Sequence, residues 1–322
     1  MHTVAGPALW AGFFFLVAVM LALDLGVFHR KRHAIGFREA LIWSIVWIGL
    51  AMGFGAGVWA RFGADRGMEF LTGYVLEKAL SIDNLFVFVL IFSTFGVPAS
   101  SQHRVLFWGI LGALVLRGAF IFGGGAVLEA FHWAIYAFGG ILFFTGGKLL
   151  IRREAEHHPE RNPVTRLAAR LLPMSMNSEA PGFLVRDRGR LLFTPLFLAL
   201  VTVEVSDIVF AVDSIPAVFA VTRDPFIVLT SNIFAILGLR SLYFLLAGVM
   251  GRFRFLRIGL AAVLLFVGAK MLLSGIVTIP IGFSLGVIAA TLTVSVLASL
   301  ARQPGPTDDT QESRVERPER IR

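Results

Sequence analysis

The 322-residue sequence contains no cysteine, which excludes disulfide bonds, thiolate zinc sites and thiol redox chemistry. Charged residues are also scarce: they make up 16% of the chain, whereas a typical soluble domain has about 25%. Hydrophobic residues reach 57%, and phenylalanine occurs 31 times against only 3 tyrosines. Because there are too few polar side chains to cover the surface of a folded chain of this length, we expect the lipid bilayer to be its solvent.

The net charge of +8 and the pI near 10.7 would suggest a nucleic-acid partner on a soluble protein. Here the basic residues cluster in short segments between apolar runs, which is typical of membrane topology. We therefore expect no nucleic-acid partner.

Apolar stretches of roughly 20 residues, long enough to cross a bilayer, recur along the chain. We identify about nine of them, with boundaries uncertain by roughly three residues. They cover residues 8–28, 40–60, 70–95, 105–125, 131–150, 193–221, 226–249, 256–277 and 279–300. The pattern predicts an all-α, polytopic membrane helix bundle over residues 1–300. The polar segment 301–322, interrupted by prolines, is predicted to be a disordered cytosolic tail.

Arginine and lysine alternate between the loops in register with the helix count. The first, third, fifth and seventh loops hold most of them, including eight arginines in a basic loop at 151–192. The loops between these hold only Arg61, Arg66 and Arg223. The positive-inside rule then predicts a protein of the cell (inner) membrane, with its N-terminus outside and its C-terminus in the cytoplasm.

Two blocks of three helices, about 70–150 and 193–277, carry similar landmarks in the same order. Each has an acid, then a second acid and a polar residue, then an arginine and a lysine. The landmarks are Glu77, Asp83, Asn84, Arg117 and Lys148 in the first block and Asp207, Asp213, Ser214, Arg240 and Lys270 in the second. Because each block has an odd number of helices, the likeness predicts an inverted three-plus-three repeat with a site at the midplane. Similar apolar composition of the two blocks is the alternative explanation.

Six carboxylates lie within the apolar stretches, accompanied by four basic side chains. The acids are Asp24, Glu77, Asp83, Glu204, Asp207 and Asp213, and the bases are Arg117, Lys148, Arg240 and Lys270. Each ionised group at a helix centre costs about 2.5–3.5 kcal/mol, so the acids need partners. The excess of two negative charges would be neutralised by a divalent cation or by two protons. Oxygen ligands without thiolate or nearby histidine favour a hard ion such as magnesium, calcium or manganese.

We expect metal ligands among the polar residues of these helices and counter-charges among the bases. The expected ligands are Asp83, Asn84, Asp213, Glu77, Asp207 and Glu204, with Asp24 and Ser214 as weaker candidates, and the counter-charges are Arg117, Lys148, Arg240 and Lys270. On a straight helix the first acid of each block shares a face with the polar residue seven positions later, while the second acid points elsewhere. Pro216 removes a backbone hydrogen bond, so we expect unwinding at 212–216 that turns Asp213 inward. The alternative for every acid is an ordinary ion pair between helices.

Two long segments carry a resemblance to a known family. EKALSIDNLFVF (77–88) and VEVSDIVFAVDSIPAVFA (203–220) resemble the two signature helices of the TerC family, as do residues 183–200 and 231–244. The resemblance implies a multi-pass membrane protein related to LysE-like exporters, with a role in manganese homeostasis, chiefly export, and an association with tellurite resistance. It also places the family's acidic positions at Glu77, Asp83, Asn84, Glu204, Asp207 and Asp213.

The first functional hypothesis is therefore a transporter that exports a divalent metal cation, manganese being the first candidate, through an acidic midplane site. The alternative is a non-transporting membrane component of a tellurite or envelope stress system that acts through protein partners. Since HExxH, GxSxG and GxGD motifs are absent from the sequence, we do not expect an enzyme, and we expect no cofactor besides the transported ion.

Overall fold

The structure is a computed structural model that describes residues 3–28, 36–131, 133–151, 182–187, 190–247, 255–277 and 279–301, with 172, 173 and 175. Within the helices, the side chains of residues 24–28, 83, 86, 257 and 300 lie outside the description. The predicted tail beyond residue 301 and most of the basic loop at 151–192 lie outside it as well.

Ten helices and one small sheet make up the described part of the chain. The helices are α1 (Pro7–Phe28), α2 (Phe37–Phe62), α3 (Ala64–Thr94), α4 (Ala99–Ala130), α5 (Ala134–Ile151), α6 (Pro195–Phe219), α7 (Pro225–Leu237), α8 (Leu239–Ala247), α9 (Leu256–Leu272) and α10 (Ile281–Ala301). The strands are β1 (Leu184–Asp187) and β2 (Arg190–Phe193). The chain is thus a polytopic helical bundle, as its composition predicts.

Among the described residues, five helices are long and apolar enough to cross a membrane: α2, α4, α5, α6 and α10. A sixth span exists if α7 and α8, which are bent by 41° at the break between them, count as one. The apolar parts of α1 and α9 are shorter, and α3 carries charged side chains along its length. Helices lie over all nine predicted stretches, but nine membrane crossings remain a prediction.

α3 lies at the centre of the bundle, packed against α2, α6 and α7, while α4 packs against α6 and α7. α5 packs closely along α9, where glycines allow the two backbones to approach each other. A Cβ added to Gly268 would lie 2.6 Å from the backbone nitrogen of Phe143, and one added to Gly139 would lie 2.8 Å from the Met271 Cβ. The tight contact between the last helices of the two predicted blocks therefore depends on glycine.

One end of the bundle is closed by hydrogen bonds around Asp224. This carboxylate caps α7 by accepting from the backbone nitrogen of Phe226 at 2.9 Å. It also accepts from the Thr3 hydroxyl at 3.1 Å and from the Val4 backbone nitrogen at 2.7 Å. The segment before α1 is therefore tied to the start of α7.

The predicted unwinding at 212–216 is wrong, because α6 runs without interruption through Pro216 to Phe219. Pro216 stands in the last turn, and the residues from Ser214 to Phe219 are all buried, so packing holds the helix together despite the missing backbone donor. The bent position is instead Gly238, between α7 and α8. A Cβ there would lie 3.0 Å from the Trp47 Cβ and 2.9 Å from the Lys78 Nζ, so a larger residue would not fit without displacement.

The purely α-helical prediction needs one correction, within the predicted basic loop. β1 and β2 form an antiparallel pair in which Leu184 faces Phe193 and Asp187 faces Arg190. Thr194 follows at once, and its hydroxyl donates to the Gly182 carbonyl at 2.8 Å. Charged and apolar residues alternate over only a few positions in this segment. So short an alternation does not predict strands in a sequence dominated by longer apolar runs.

Candidate functional site

A buried arginine joins the first helices of the two predicted blocks. Arg117 of α4 is 1% exposed, and its guanidinium contacts both Glu77 of α3 and Asp207 of α6. Toward Asp207 the contact is bidentate, with Nη2 donating to Oδ1 at 2.9 Å and Nε donating to Oδ2 at 3.3 Å. Nη1 donates to Glu77 Oε1. Charge-assisted bidentate pairs of this kind are among the strongest hydrogen bonds in proteins.

Three uncharged side chains complete this network. The Ser81 hydroxyl donates to Glu77 Oε1 at 3.3 Å, and Asn232 Nδ2 of α7 donates to Glu77 Oε2 at 2.9 Å. Arg117 Nη1 also donates to the Ser214 hydroxyl at 3.3 Å. All of these residues are buried, so the network links α3, α4, α6 and α7 away from solvent. Among described contacts, the Asn232 Oδ1 accepts no hydrogen bond, which leaves one buried amide oxygen available beside Glu77.

The predicted faces of the two acidic helices both point into the bundle. Glu77 and Asn84 are buried on α3, and Asp207 and Ser214 are buried on α6. Glu77 and Asp207, which occupy corresponding positions in the two blocks, are the pair that the structure brings together. An ion pair in low dielectric needs good geometry and further hydrogen bonds to offset its desolvation, and this one has both.

Glu204 lies one turn before Asp207 on α6 and is half-buried. Its carboxylate rests against the backbone of α4 at Gly112, where an added Cβ would overlap both carboxylate oxygens. A side chain at Gly112 would therefore displace the Glu204 carboxylate. None of the contacts among the described residues joins Glu204 to Arg117, so Glu204 lies beside the network and is not a member of it.

Asp213 is separate from the arginine network in the described contacts. It is half-buried and accepts a hydrogen bond from the Thr145 hydroxyl of α5 at 3.0 Å. Lys148, one turn further along α5, is close enough to act on Asp213 electrostatically. The side chains of Asp83 and Asp24 lie outside the described residues, so their metal-ligand roles stay predictions.

The remaining predicted counter-charges lie in different surroundings. Arg240 is fully buried at the start of α8. Lys270 is half-buried on α9 and donates to the Ser284 hydroxyl of α10 at 3.0 Å. Lys148 is exposed on the surface of the described bundle. Arg117 joins two of the predicted metal ligands directly.

Among the described side chains, no group of three or more acids and histidines lies close enough to hold a metal ion. The oxygen-bearing groups that do converge are two carboxylates, two hydroxyls and an amide. A guanidinium lies between the two carboxylates. In this conformation Glu77 and Asp207 share the single positive charge of Arg117, which offsets one of their two negative charges. A cation could use the same oxygens only if Arg117 moved away.

Sequence reasoning missed three residues that the structure places near these groups: Lys78, Thr145 and Asn232. Lys78 follows Glu77 directly and so lies at the same depth along α3. This adjacency was visible in the sequence and could have identified it. Adding it to the four bases considered above lowers the excess negative charge of that set from two to one. The charge balance alone therefore no longer favours a divalent ion.

Comparisons with known proteins place the chain among bacterial membrane proteins. The family model described as Integral membrane protein TerC family matches residues 62–305. An uncharacterized membrane protein of Myxococcus xanthus, STKORF319, is 55% identical over 314 residues, which are 97% of this chain and 98% of that protein. The putative membrane-bound redox modulator Alx of Escherichia coli K12 is 48% identical over 306 residues, covering 92% and 95% of the two chains. No solved structure is significantly similar.

Proposed function

Since the chain belongs to the TerC family of integral membrane proteins, we propose that it exports a divalent metal cation, with manganese as the first candidate. The observation that carries the proposal is the convergence of Glu77 and Asp207 on one buried guanidinium. Ionisable residues inside a membrane bundle are costly, and a functional ion pathway is the default explanation for them. The proposed membrane is the inner membrane, with the N-terminus outside.

The packing of the helices supports an inverted repeat. In the predicted correspondence, α3 matches α6, α4 matches the bent pair α7–α8, and α5 matches α9. α3 packs against α7, α6 packs reciprocally against α4, and α5 packs against α9. A two-fold relation between the blocks produces reciprocal contacts of this kind, and alternating access between such blocks is a common transport mechanism.

We assign Arg117 the role of a resident counter-ion in the proposed transport cycle. Without metal its single positive charge is shared by Glu77 and Asp207, which otherwise would face each other with no counter-charge in low dielectric. An entering cation replaces the guanidinium, and the released carboxylates supply its first oxygens. Ser81, Ser214 and the Asn232 Oδ1 are the neighbouring neutral donors, a set that suits hard ions such as manganese.

Glu204 and Asp213 stand on either side of Asp207 along α6, and both are half-buried. In the proposed cycle they receive the cation on its way to or from the central pair. Asp83, Asn84 and Asp24 remain candidate ligands of the same pathway, while Lys148, Arg240 and Lys270 remain candidate counter-charges.

The second candidate function is a non-transporting role in a stress system. The name redox modulator carried by the Escherichia coli relative favours it. Thiol chemistry is impossible for this chain, which has no cysteine, so a redox effect would not run through thiols of its own. Partners would then bind the basic loop at 151–192, and truncating this loop would abolish the phenotype while substitutions at Glu77 or Asp207 would not.

Metal uptake into everted membrane vesicles tests the first proposal. Vesicles with the wild-type protein should accumulate manganese, measured by quenching of an internal dye, faster than vesicles from cells that lack it. E77Q and D207N should lower this rate at least tenfold, whereas D65N, an exposed acid at the start of α3, should not. Equal rates with and without the protein for manganese, magnesium, calcium, cobalt and zinc would refute the proposal. Chromatography of a fluorescent fusion checks that each variant is inserted and folded.

A further inference from the structure

The break between α7 and α8 leaves backbone acceptors inside the bundle. α7 ends at Leu237 and α8 starts at Leu239, and residues 225–240 are buried throughout. The last carbonyl groups of a helix lack intrahelical donors, and without water they must find other partners. The C-terminal end of a helix also carries partial negative charge, which favours a cation.

The partner at this break is a side chain from α3. The Nζ of Lys78 donates to the Ala235 carbonyl, in the last turn of α7, at 3.0 Å. Gly238 makes room for it, because a Cβ at that position would lie 2.9 Å from the same Nζ. The ammonium therefore fills the space that the glycine leaves empty, beside the Ala235 carbonyl.

We propose that the break at Gly238 is a monovalent-cation site whose occupant is the chain's own Lys78 ammonium. Broken helices in transporters use carbonyls of this kind to coordinate sodium ions. Here the tethered ammonium serves in place of a free ion and joins α3 to the last turn of α7 at the break. The wild-type protein therefore needs no sodium or potassium at this position, whereas removal of the side chain opens the site to a free ion.

Thermal unfolding of the purified full-length protein in sodium, potassium or choline chloride at equal ionic strength tests this site. The wild-type Tm should be the same in all three salts. K78A should unfold about 4 °C lower in choline, because a buried charged hydrogen bond is lost. Sodium or potassium should restore most of that loss, while choline, which is too large for the space, should not.

K78M is the matched control, since its side chain fills the space without offering a charge. It should lose stability to a similar extent and regain none of it in sodium. The double variant K78A/G238A should also fail to respond, because the new Cβ occupies the site. If K78A cannot be purified, heating crude membranes in each salt before solubilising a fluorescent fusion gives the same comparison.

Three outcomes would overturn the proposal: an unchanged Tm for K78A, a loss that no small cation restores, or equal restoration by choline. The readout is stability and not metal flux. The result is therefore independent of whether the protein exports a metal.

Discussion

Replacing Arg117 by glutamine should be among the most destabilising single changes in this protein. The R117Q substitution would leave Glu77 and Asp207 buried without their shared counter-charge and would remove the three donors that contact them. Breaking a buried pair by removing one partner costs about 3–5 kcal/mol. At about 2–4 °C per kcal/mol, the expected fall in Tm is on the order of 10 °C.

Neutralising the acids as well should reverse much of this loss. In the triple variant R117Q/E77Q/D207N no unpaired charge remains, and amide groups of similar shape can hydrogen-bond to one another. We expect its Tm to lie well above that of R117Q and close to that of the wild type. The Tm of E77Q and that of D207N should each lie between those of R117Q and the wild type, since each variant leaves Arg117 with one carboxylate.

The assay is thermal unfolding in detergent at a fixed heating rate, because irreversible unfolding makes Tm depend on that rate. A Tm of R117Q within 2 °C of the wild type, taken as about the effect of one kcal/mol, would refute the role of the network. A triple variant no more stable than R117Q would refute the reasoning about charge. Metal uptake by the triple variant should be absent in either case, since its site has lost both carboxylates.

Two further predictions use the glycines that approach other residues closely. G112A should lower metal uptake about tenfold, a factor equivalent to about 1.4 kcal/mol, because the new Cβ displaces the Glu204 carboxylate. The control is G118A, on the same helix with open space around it, which should transport normally. G268A should separate α5 from α9 and destabilise the protein by about 1–3 kcal/mol in thermal unfolding, whereas G140A, which meets nothing, should not. Equal uptake by G112A and G118A would contradict the close approach of Glu204 to Gly112. Equal stability of G268A and G140A would contradict the close approach of α5 to α9.

The positions of the helices could be read from the sequence because apolar length is a local property. Each predicted stretch contains a helix, and the family resemblance was confirmed by a match over residues 62–305. The buried face that holds Glu77 and Asp207 also followed from helical periodicity. What periodicity could not supply is which of several bases an acid meets, since that depends on how helices pack.

Pro216 and Gly238 illustrate the limit of local signals. Proline has a known effect on helices, so a break was predicted where one stands, yet packing around the last turn of α6 keeps that helix intact. Gly238 was only a weak indication of a helix break, because glycines are common in membrane helices. Trp47 and Lys78, two residues from other helices, occupy the space beside it, which only the packed structure reveals.

Composition by itself determined that this chain is a membrane protein of many helices with acids at membrane depth, because hydrophobicity and charge are counted along the chain. Only the tertiary structure decided that Arg117 joins Glu77 to Asp207, that Glu204 rests on Gly112, and that Lys78 reaches the Ala235 carbonyl. The physical reason is that the energy of a buried charge depends on the atoms within a few ångströms of it. Those atoms come from helices that are far apart in the sequence.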